Sequence, residues 1–222
     1  MTIKDNLNNI KSSLPEHVTL VAVSKTKPVS DLMEAYNAGQ RIFGENKIQE
    51  MVEKHEQMPK DVEWHMIGHV QRNKVKYMAD FVSLIHGVDN FKLLKEINKQ
   101  AKKCNRIINC LLQIKIAEED SKFGMSKNDA STLLQSDEFS ELKNIKIVGL
   151  MGMATFTDDI AQVESEFKFL KTTFEELKQL QTRNCKLKTL SMGMSGDYKL
   201  AIEYGSNMIR VGSSIFGARN YN

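Results

Sequence analysis

Lys25, Arg210 and two serine–glycine loops are the residues whose types and spacing could do chemistry together. Lys25 stands in the polar stretch Ser24-Lys-Thr-Lys-Pro28, directly after the near-continuous apolar run Val18-Thr-Leu-Val-Ala-Val23. Such a run suits a strand buried on both faces of a parallel sheet, and ligands of α/β folds sit at the carboxyl edge of that sheet. A partly desolvated lysine has a lowered pKa, so its neutral amine can attack a carbonyl and form a Schiff base. Taken alone, the stretch reads first as a solvated loop lysine, since most lysines stay in water. The two loops are Ser191-Met-Gly-Met-Ser195-Gly196 and Arg210-Val-Gly212-Ser213-Ser214. Their glycines allow close backbone approach, their hydroxyls and amides donate, and a helix start behind them favours an anion. Either loop alone reads as an ordinary turn. Arg210 lies inside a strand, facing opposite to Ile209 and Val211, and a buried arginine needs an acceptor. A carboxylate such as Glu203 would serve, as would a ligand nitrogen or phosphate.

The elements that must position these groups alternate along the chain. Ile3, Leu7, Ile10 and Leu14 predict a leading helix over 2–13 with Thr2 as N-cap. Strands are expected at 18–24, 41–46, 63–68, 81–85, 107–116, 145–151, 189–194 and 208–212. Helices are expected between them: from Ser30-Asp31 to Gly39, over 48–55, through Val70, Lys74 and Met78, from Asp89, and from Ser126 or Asn128. A long amphipathic helix through Val163–Leu177 and a short one over 197–204 follow. After the fifth strand, and before the helix from Ser126 or Asn128, Glu118–Gly124 reads as a polar loop. Eight strands in strict alternation with helices predict a (β/α)8 TIM barrel spanning 1–222 as one domain. No glycine-rich dinucleotide fingerprint follows the first strand, which weighs against an open doubly wound sheet. In barrels, phosphate is often held by the loops after the last two strands, where both serine–glycine loops fall.

Composition excludes several classes. A hydrophobic fraction of 41%, a charged fraction of 27% and a net charge of +3 over 222 residues describe an ordinary globular chain without the basic stripe that nucleic acid requires. Cys104, Cys110 and Cys185 are odd in number and lack metal-ligand spacing, so no metal site is expected and a reducing compartment is. No apolar run is long enough for a membrane span, and the start Met-Thr-Ile-Lys-Asp-Asn is no signal peptide; a cytoplasmic protein is expected. Glu45-Asn46 closes the second strand, and Asn46 either lines a pocket or caps the next helix. His65 reads as a core histidine rather than a catalyst. His69 belongs to the next helix start, and Met151, Met153, Met192 and Met194 fill the core or form flexible walls for a flat aromatic ligand.

Five ordered blocks carry a resemblance that covers essentially the whole chain. Val21-Ala-Val-Ser-Lys-Thr-Lys-Pro28, Phe43-Gly-Glu-Asn-Lys-Ile-Gln-Glu50, Trp64-His-Met-Ile-Gly-His-Val-Gln-Arg-Asn-Lys74, Leu190-Ser-Met-Gly-Met-Ser195 and Arg210-Val-Gly-Ser-Ser-Ile-Phe-Gly217 together resemble the pyridoxal-phosphate homeostasis proteins. These are single-barrel relatives of the alanine racemase N-terminal domain. The resemblance implies that Lys25 carries pyridoxal 5′-phosphate (PLP) as a Schiff base. It further implies that Ser195, Gly212 and Ser213 hold the phosphate with Ser191 nearby, that Arg210 faces the pyridine nitrogen, and that Asn46 lines the pocket. Three positions depart from the usual pattern: Ser213 where threonine is common, Gly196-Asp197 where two acids are common, and Lys47 where an aromatic residue is common.

An arginine at the pyridine nitrogen disfavours its protonation and makes the ring a poorer electron sink. Racemases of this fold take a second acid/base from another domain and subunit. The expectation is therefore a monomeric PLP store, not an enzyme, with PLP, apo PLP-dependent enzymes and free amino acids as partners. Two alternatives stand beside it. One is a PLP-dependent racemase or decarboxylase using Lys25 with His65 or Tyr204; the other is a cofactor-free Schiff-base lyase or phosphosugar enzyme on the same barrel.

Overall fold

The apolar run at the front of the chain forms β1 (Thr19–Val23) and pairs on both sides in parallel, which is why it lacks a polar face. Its neighbours are β2 (Ile42–Glu45) and the last strand, β8 (Met208–Val211), with Ala22 opposite Phe43 on one side and Val21 opposite Arg210 on the other. Between them run β3 (Glu63–Met66), β4 (Leu84–Val88), β5 (Ile108–Gln113), β6 (Ile145–Met151) and β7 (Cys185–Ser191). All eight close into a parallel barrel in sequence order. This computed structural model describes residues 2–118, 123–180 and 182–218, and the expected (β/α)8 barrel is the architecture it has. The predicted polar loop 118–124 falls largely outside the described residues, which omit 119–122.

The connecting helices are α2 (Val29–Asn37), α3 (Ile48–Gln57), α4 (Phe91–Lys103), α5 (Lys127–Gln135), α6 (Asp137–Ser140), α7 (Ile160–Leu177) and α8 (Tyr198–Glu203). A leading helix, α1 (Ile3–Ser13), starts in a capping box: the Thr2 hydroxyl accepts from Asp5 N and Thr2 N donates to the Asp5 carboxylate. Its Leu7 is fully buried, a contribution of roughly 1.5–3 kcal/mol. Outward residues of the strands, such as Ala22, Phe43, Trp64 and Ile85, pack against these helices in one large core. Alternate residues point inside the barrel, where Val21, Leu84, Leu111, Met151 and Met208 form a separate apolar plug.

Several expected elements are placed differently. The helix through Val70–Met78 is a 3-10 helix over Arg72–Tyr77. The fourth strand lies three residues beyond its expected place at 81–85. Phe81 and Val82 are apolar but close a turn on Met78 O, whereas His86-Gly87, beyond the expected strand, is inside the sheet. The cap of α4 is Asn90, which accepts from Leu93 N, and not Asp89. The seventh strand starts at Cys185, four residues early, because Cys185 and Leu187 alternate with exposed lysines, and it ends at Ser191. A one-turn helix, α9 (Ser213–Phe216), follows β8 directly and was not foreseen. Among the described residues no helix is long and apolar enough to cross a membrane, and all three cysteines are free thiols.

The tightest of the glycines is Gly149 of β6, where the register against β7 shifts. A Cβ there would sit inside the van der Waals radius of the Thr189 carbonyl oxygen, a backbone atom of the paired strand. Gly149→Ala is expected to destabilise by about 3 kcal/mol or more through this overpacking. Urea unfolding checks it, and a loss under 1 kcal/mol would mean that the two strands can part without cost.

Candidate functional site

Beyond Val23 the chain leaves the sheet and turns over the carboxyl rim of the barrel with Lys25 in the turn. That turn is clamped from behind. The Ser24 hydroxyl, fully buried, donates to Glu45 Oε1 at 2.6 Å. Lys54 of α3 donates to Ser24 O at 2.8 Å, Glu45 Oε1 at 2.7 Å and Glu50 Oε1 at 2.8 Å. Glu50 in turn accepts from Thr26 N at 2.5 Å. Thr26 has φ +64°, a left-handed conformation that a β-branched residue adopts only when its surroundings impose it. Glu50 and the Lys27 anchor impose it here: Lys27 Nζ donates to Phe216 O at 2.8 Å and Ala218 O at 3.1 Å. Burial raises the Glu45 pKa, and the Lys54 ammonium and hydrogen bonds oppose that rise.

Inside the rim is a cavity of about 830 Å³. Lys25 lines one side together with Asn46, and Arg210, Ser195, Gly212 and Ser213 line another. Ser195 follows Gly193, whose φ of +95° and closeness to Ala201 and Tyr198 leave no room for a side chain. Its hydroxyl accepts from Gly212 N at 3.2 Å and Ser214 N at 3.5 Å, which ties the two serine–glycine loops together. The Asn46 Oδ1 atom is buried without a hydrogen-bond partner, although its residue lines the cavity. An orphaned acceptor beside a primary amine, a guanidinium and a cluster of hydroxyls and amides suits a small polar, anionic carbonyl compound with a hydroxyl to donate.

A chain of buried polar groups crosses the barrel below the cavity floor. Arg210 Nη1 donates to Ser191 Oγ at 2.6 Å and Nη2 to Gly152 O at 2.9 Å. Ser191 Oγ is 3.2 Å from His86 Nδ1, and His86 Nε2 is 3.1 Å from His65 Nδ1. None of these four residues is more than 4% exposed. Burial holds the His65 pKa down at about 3. His86 is pushed well below its ordinary value by burial, helped by His65 and Arg210. Burial also lowers Arg210 to about 10, with Asp197 opposing, so the guanidinium stays charged at neutral pH.

Six of the seven residues singled out in the sequence line this cavity: Lys25, Asn46, Ser195, Arg210, Gly212 and Ser213. Ser191 does not. It is fully buried one layer deeper and touches Arg210 instead, because strand parity at the end of β7 turns it into the barrel. Glu203 is not the partner of Arg210; a hydroxyl and a backbone carbonyl are. Asn46 lines the cavity, and α3 is capped by Lys47 without a side-chain bond. Met153 and Met194 line the cavity, whereas Met151 and Met192 are fully buried in the core. Sequence reasoning missed the Glu45–Lys54–Glu50 clamp and His86. Glu50 and Lys54 fall one helical turn apart on α3, a signal that also describes any solvated helix face, and Glu45 ends the preceding strand.

Comparison with known proteins supplies the context. Residues 1–220 match the family of the alanine racemase N-terminal domain. The pyridoxal phosphate homeostasis protein of Pasteurella multocida is 40% identical, over 100% of this chain and 99% of its own length. That of Escherichia coli K12 is 37% identical over 93% and 88%. The structure of PipY of Synechococcus elongatus with PLP bound superposes with a TM-score of 0.88 at 35% identity, covering 97% of this chain and all of that one. Alanine racemase of Clostridium difficile shares the fold at 16% identity and a TM-score of 0.79, over 100% of this chain and 61% of its own.

Two outcomes follow from the buried charges. Lys54→Met removes one partner of a buried pair and is expected to cost roughly 3–5 kcal/mol, most of which Glu45→Gln added to it restores. Urea unfolding of both variants checks this, and an unaffected single variant would remove the clamp. The second outcome concerns acid. His65 has a folded pKa of about 3 against an ordinary 6.5, so the unfolded chain takes up its proton first and stability falls as pH drops through that window. At pH 5 the loss from His65 is about 2 kcal/mol relative to pH 7, and His65→Gln should reduce the pH dependence of the unfolding free energy, measured in urea, by that amount.

Proposed function

Because the chain belongs to the alanine racemase N-terminal-domain family and, within it, to the pyridoxal phosphate homeostasis proteins, we propose that it binds PLP in the cavity between β1 and β8, holds it on Lys25 and releases it again. What carries this reading is that Lys25, Arg210 and the Ser195–Gly212–Ser213 cluster line one cavity. The orphaned Asn46 Oδ1 adds to it, since it offers an acceptor for a ring hydroxyl. When bound, PLP supplies an aldehyde that condenses reversibly with a primary amine.

The roles of the chain's own groups follow from their surroundings. Lys25 provides the amine; the neighbouring Lys27 has its ammonium committed to two backbone carbonyls. Ser195, Gly212 and Ser213 donate to the phosphate, with Ser195 already holding the backbone of the second loop in place. Arg210, a donor with no acceptor atom, faces the pyridine nitrogen and disfavours its protonation. Ser191 supports Arg210 and does not touch the cofactor.

The role is storage and delivery rather than turnover. What supports this is the likeness, at 40% identity over 99% of its length, to a protein named for pyridoxal phosphate homeostasis. We place the activity in a single barrel domain over 1–222, acting as a cytoplasmic monomer on PLP, apo PLP-dependent enzymes and free amino acids. Transfer of PLP from holo-protein to such an apo-enzyme, without deuterium from solvent entering the α-position of added amino acids, is the expected result. Rapid deuterium entry with many turnovers would make the protein a racemase or decarboxylase instead.

Borohydride treatment of the yellow holo-protein should fix PLP to the peptide that contains Lys25, and Lys25→Ala should fold yet lose the covalent chromophore. Labelling at Lys27 would overturn the assignment. Ser195→Ala and Ser213→Ala should each weaken PLP by about 1.5–3 kcal/mol and pyridoxal, which lacks the phosphate, much less. Equal losses for both ligands in equilibrium titrations would take the phosphate away from these serines.

A further inference from the structure

We propose that His86 and His65 are positioning residues for Arg210: with Ser191 they form a one-directional hydrogen-bond chain that fixes the guanidinium as a donor toward the cavity. The inference rests on the PLP reading for the identity of the ligand and on geometry for the chain itself.

Direction follows from what each atom can do. Arginine has only donors, so at 2.6 Å Ser191 Oγ accepts from Arg210. Were His86 Nδ1 the donor instead, the fully buried Ser191 proton would have no other acceptor among the described residues, so that proton goes to His86 Nδ1 at 3.2 Å. An accepting Nδ1 puts the His86 proton on Nε2, which donates to His65 Nδ1 at 3.1 Å. His65 is thereby fixed with its own proton on Nε2. Every donor along β8, β7, β4 and β3 points the same way, away from Arg210. A protonated His86 would present an N–H to Ser191 and break this order, and burial beside His65 and Arg210 keeps both rings neutral.

The consequence falls on Arg210. Its Nη1 and Nη2 are each held from below, by Ser191 and by Gly152 O, so the guanidinium plane is set before any ligand arrives. Its other donors remain for the cavity that it lines. Truncating His86 frees the Ser191 hydroxyl to rotate and to compete for the Arg210 side chain's position, although His86 is fully buried and touches no ligand.

The test uses full-length protein. In the PLP-free form, long-range ¹H–¹⁵N spectra of the histidine side chains should show His65 and His86 neutral with the proton on Nε2 throughout the neutral range. A proton on Nδ1 of either ring would overturn the chain. In binding titrations the wild type should prefer PLP over its analogue with CH in place of the ring nitrogen. His86→Leu should weaken PLP by about tenfold and erase most of that preference, whereas His86→Asn, which still offers an acceptor to Ser191, should stay near wild type. Ser191→Ala should reproduce His86→Leu, and the double variant should be no worse than either, which covers the case in which His86→Leu does not fold. A purely structural histidine would lower the melting temperature and leave the preference between the two ligands intact; that outcome overturns the proposal. Failure of the wild type to bind PLP through Lys25 would sink the cofactor reading instead, and the spectra of the ligand-free protein would still decide the hydrogen-bond chain.

Discussion

The parallel pairing of β1 with β8 is the constraint on which the rest depends. Among the described residues it is where the two ends of the sequence meet in the sheet, with Thr19 to Ala22 in register against Met208 to Val211. Once that register is set, the turn after Val23 must lie beside the turn after Val211, so an amine from the first loop and donors from the last share one cavity. Closing the chain on itself requires every intervening βα unit to be in place, which is costly in loop entropy and makes the site a property of the whole barrel. The link from Lys27 to the carbonyls of Phe216 and Ala218 reinforces the same seam from outside the sheet.

The interior of the barrel holds two kinds of side chain. Val21, Leu84, Leu111, Met151 and Met208 form one apolar cluster, with Val21 opposite Arg210, Leu84 opposite His65 and Met208 opposite Ser191. Beside them lie His65, His86, Ser191 and Arg210, all buried and all hydrogen-bonded. A polar layer at that depth is tolerable only when each group has a partner. Here a single charge, on Arg210, heads the layer, and three neutral groups relay its hydrogen bonds inward without adding a second charge. The outer clamp works differently: Lys54 meets Glu45 and Glu50 as a compact ion cluster, and holds a strained Thr26 so that Lys25 keeps its place. One device orients the Arg210 guanidinium, the other the turn that carries the Lys25 amine.

Much of this was legible from residue order alone. The alternation of apolar runs with amphipathic stretches predicts eight parallel strands, because a strand covered on both faces has no polar side and a helix has one. Lys25, Ser195, Gly212 and Ser213 could be singled out because polar and small residues that directly follow such runs fall on one rim of any barrel. Other features needed the fold. The fourth strand is misplaced by local apolarity, since Phe81 and Val82 look like strand and close a turn, while His86-Gly87 looks like a turn and is strand. With the strand in its real place, the alternation of side chains turns His86 inward beside His65 of β3 and below Ser191 of β7.

What the sequence determined by itself was the number of units, the alternation of strand and helix, and the polar residues of the loops after the first and last strands, all of which depend on spacings of a few residues. The tertiary structure alone decided that Ser191 serves Arg210 rather than the cavity, that Lys27 is tied to the chain's far end and that Asn46 keeps an unpaired acceptor. Those facts depend on contacts between residues far apart in the chain, which periodicity does not encode. Only the closed barrel brings them within hydrogen-bonding distance.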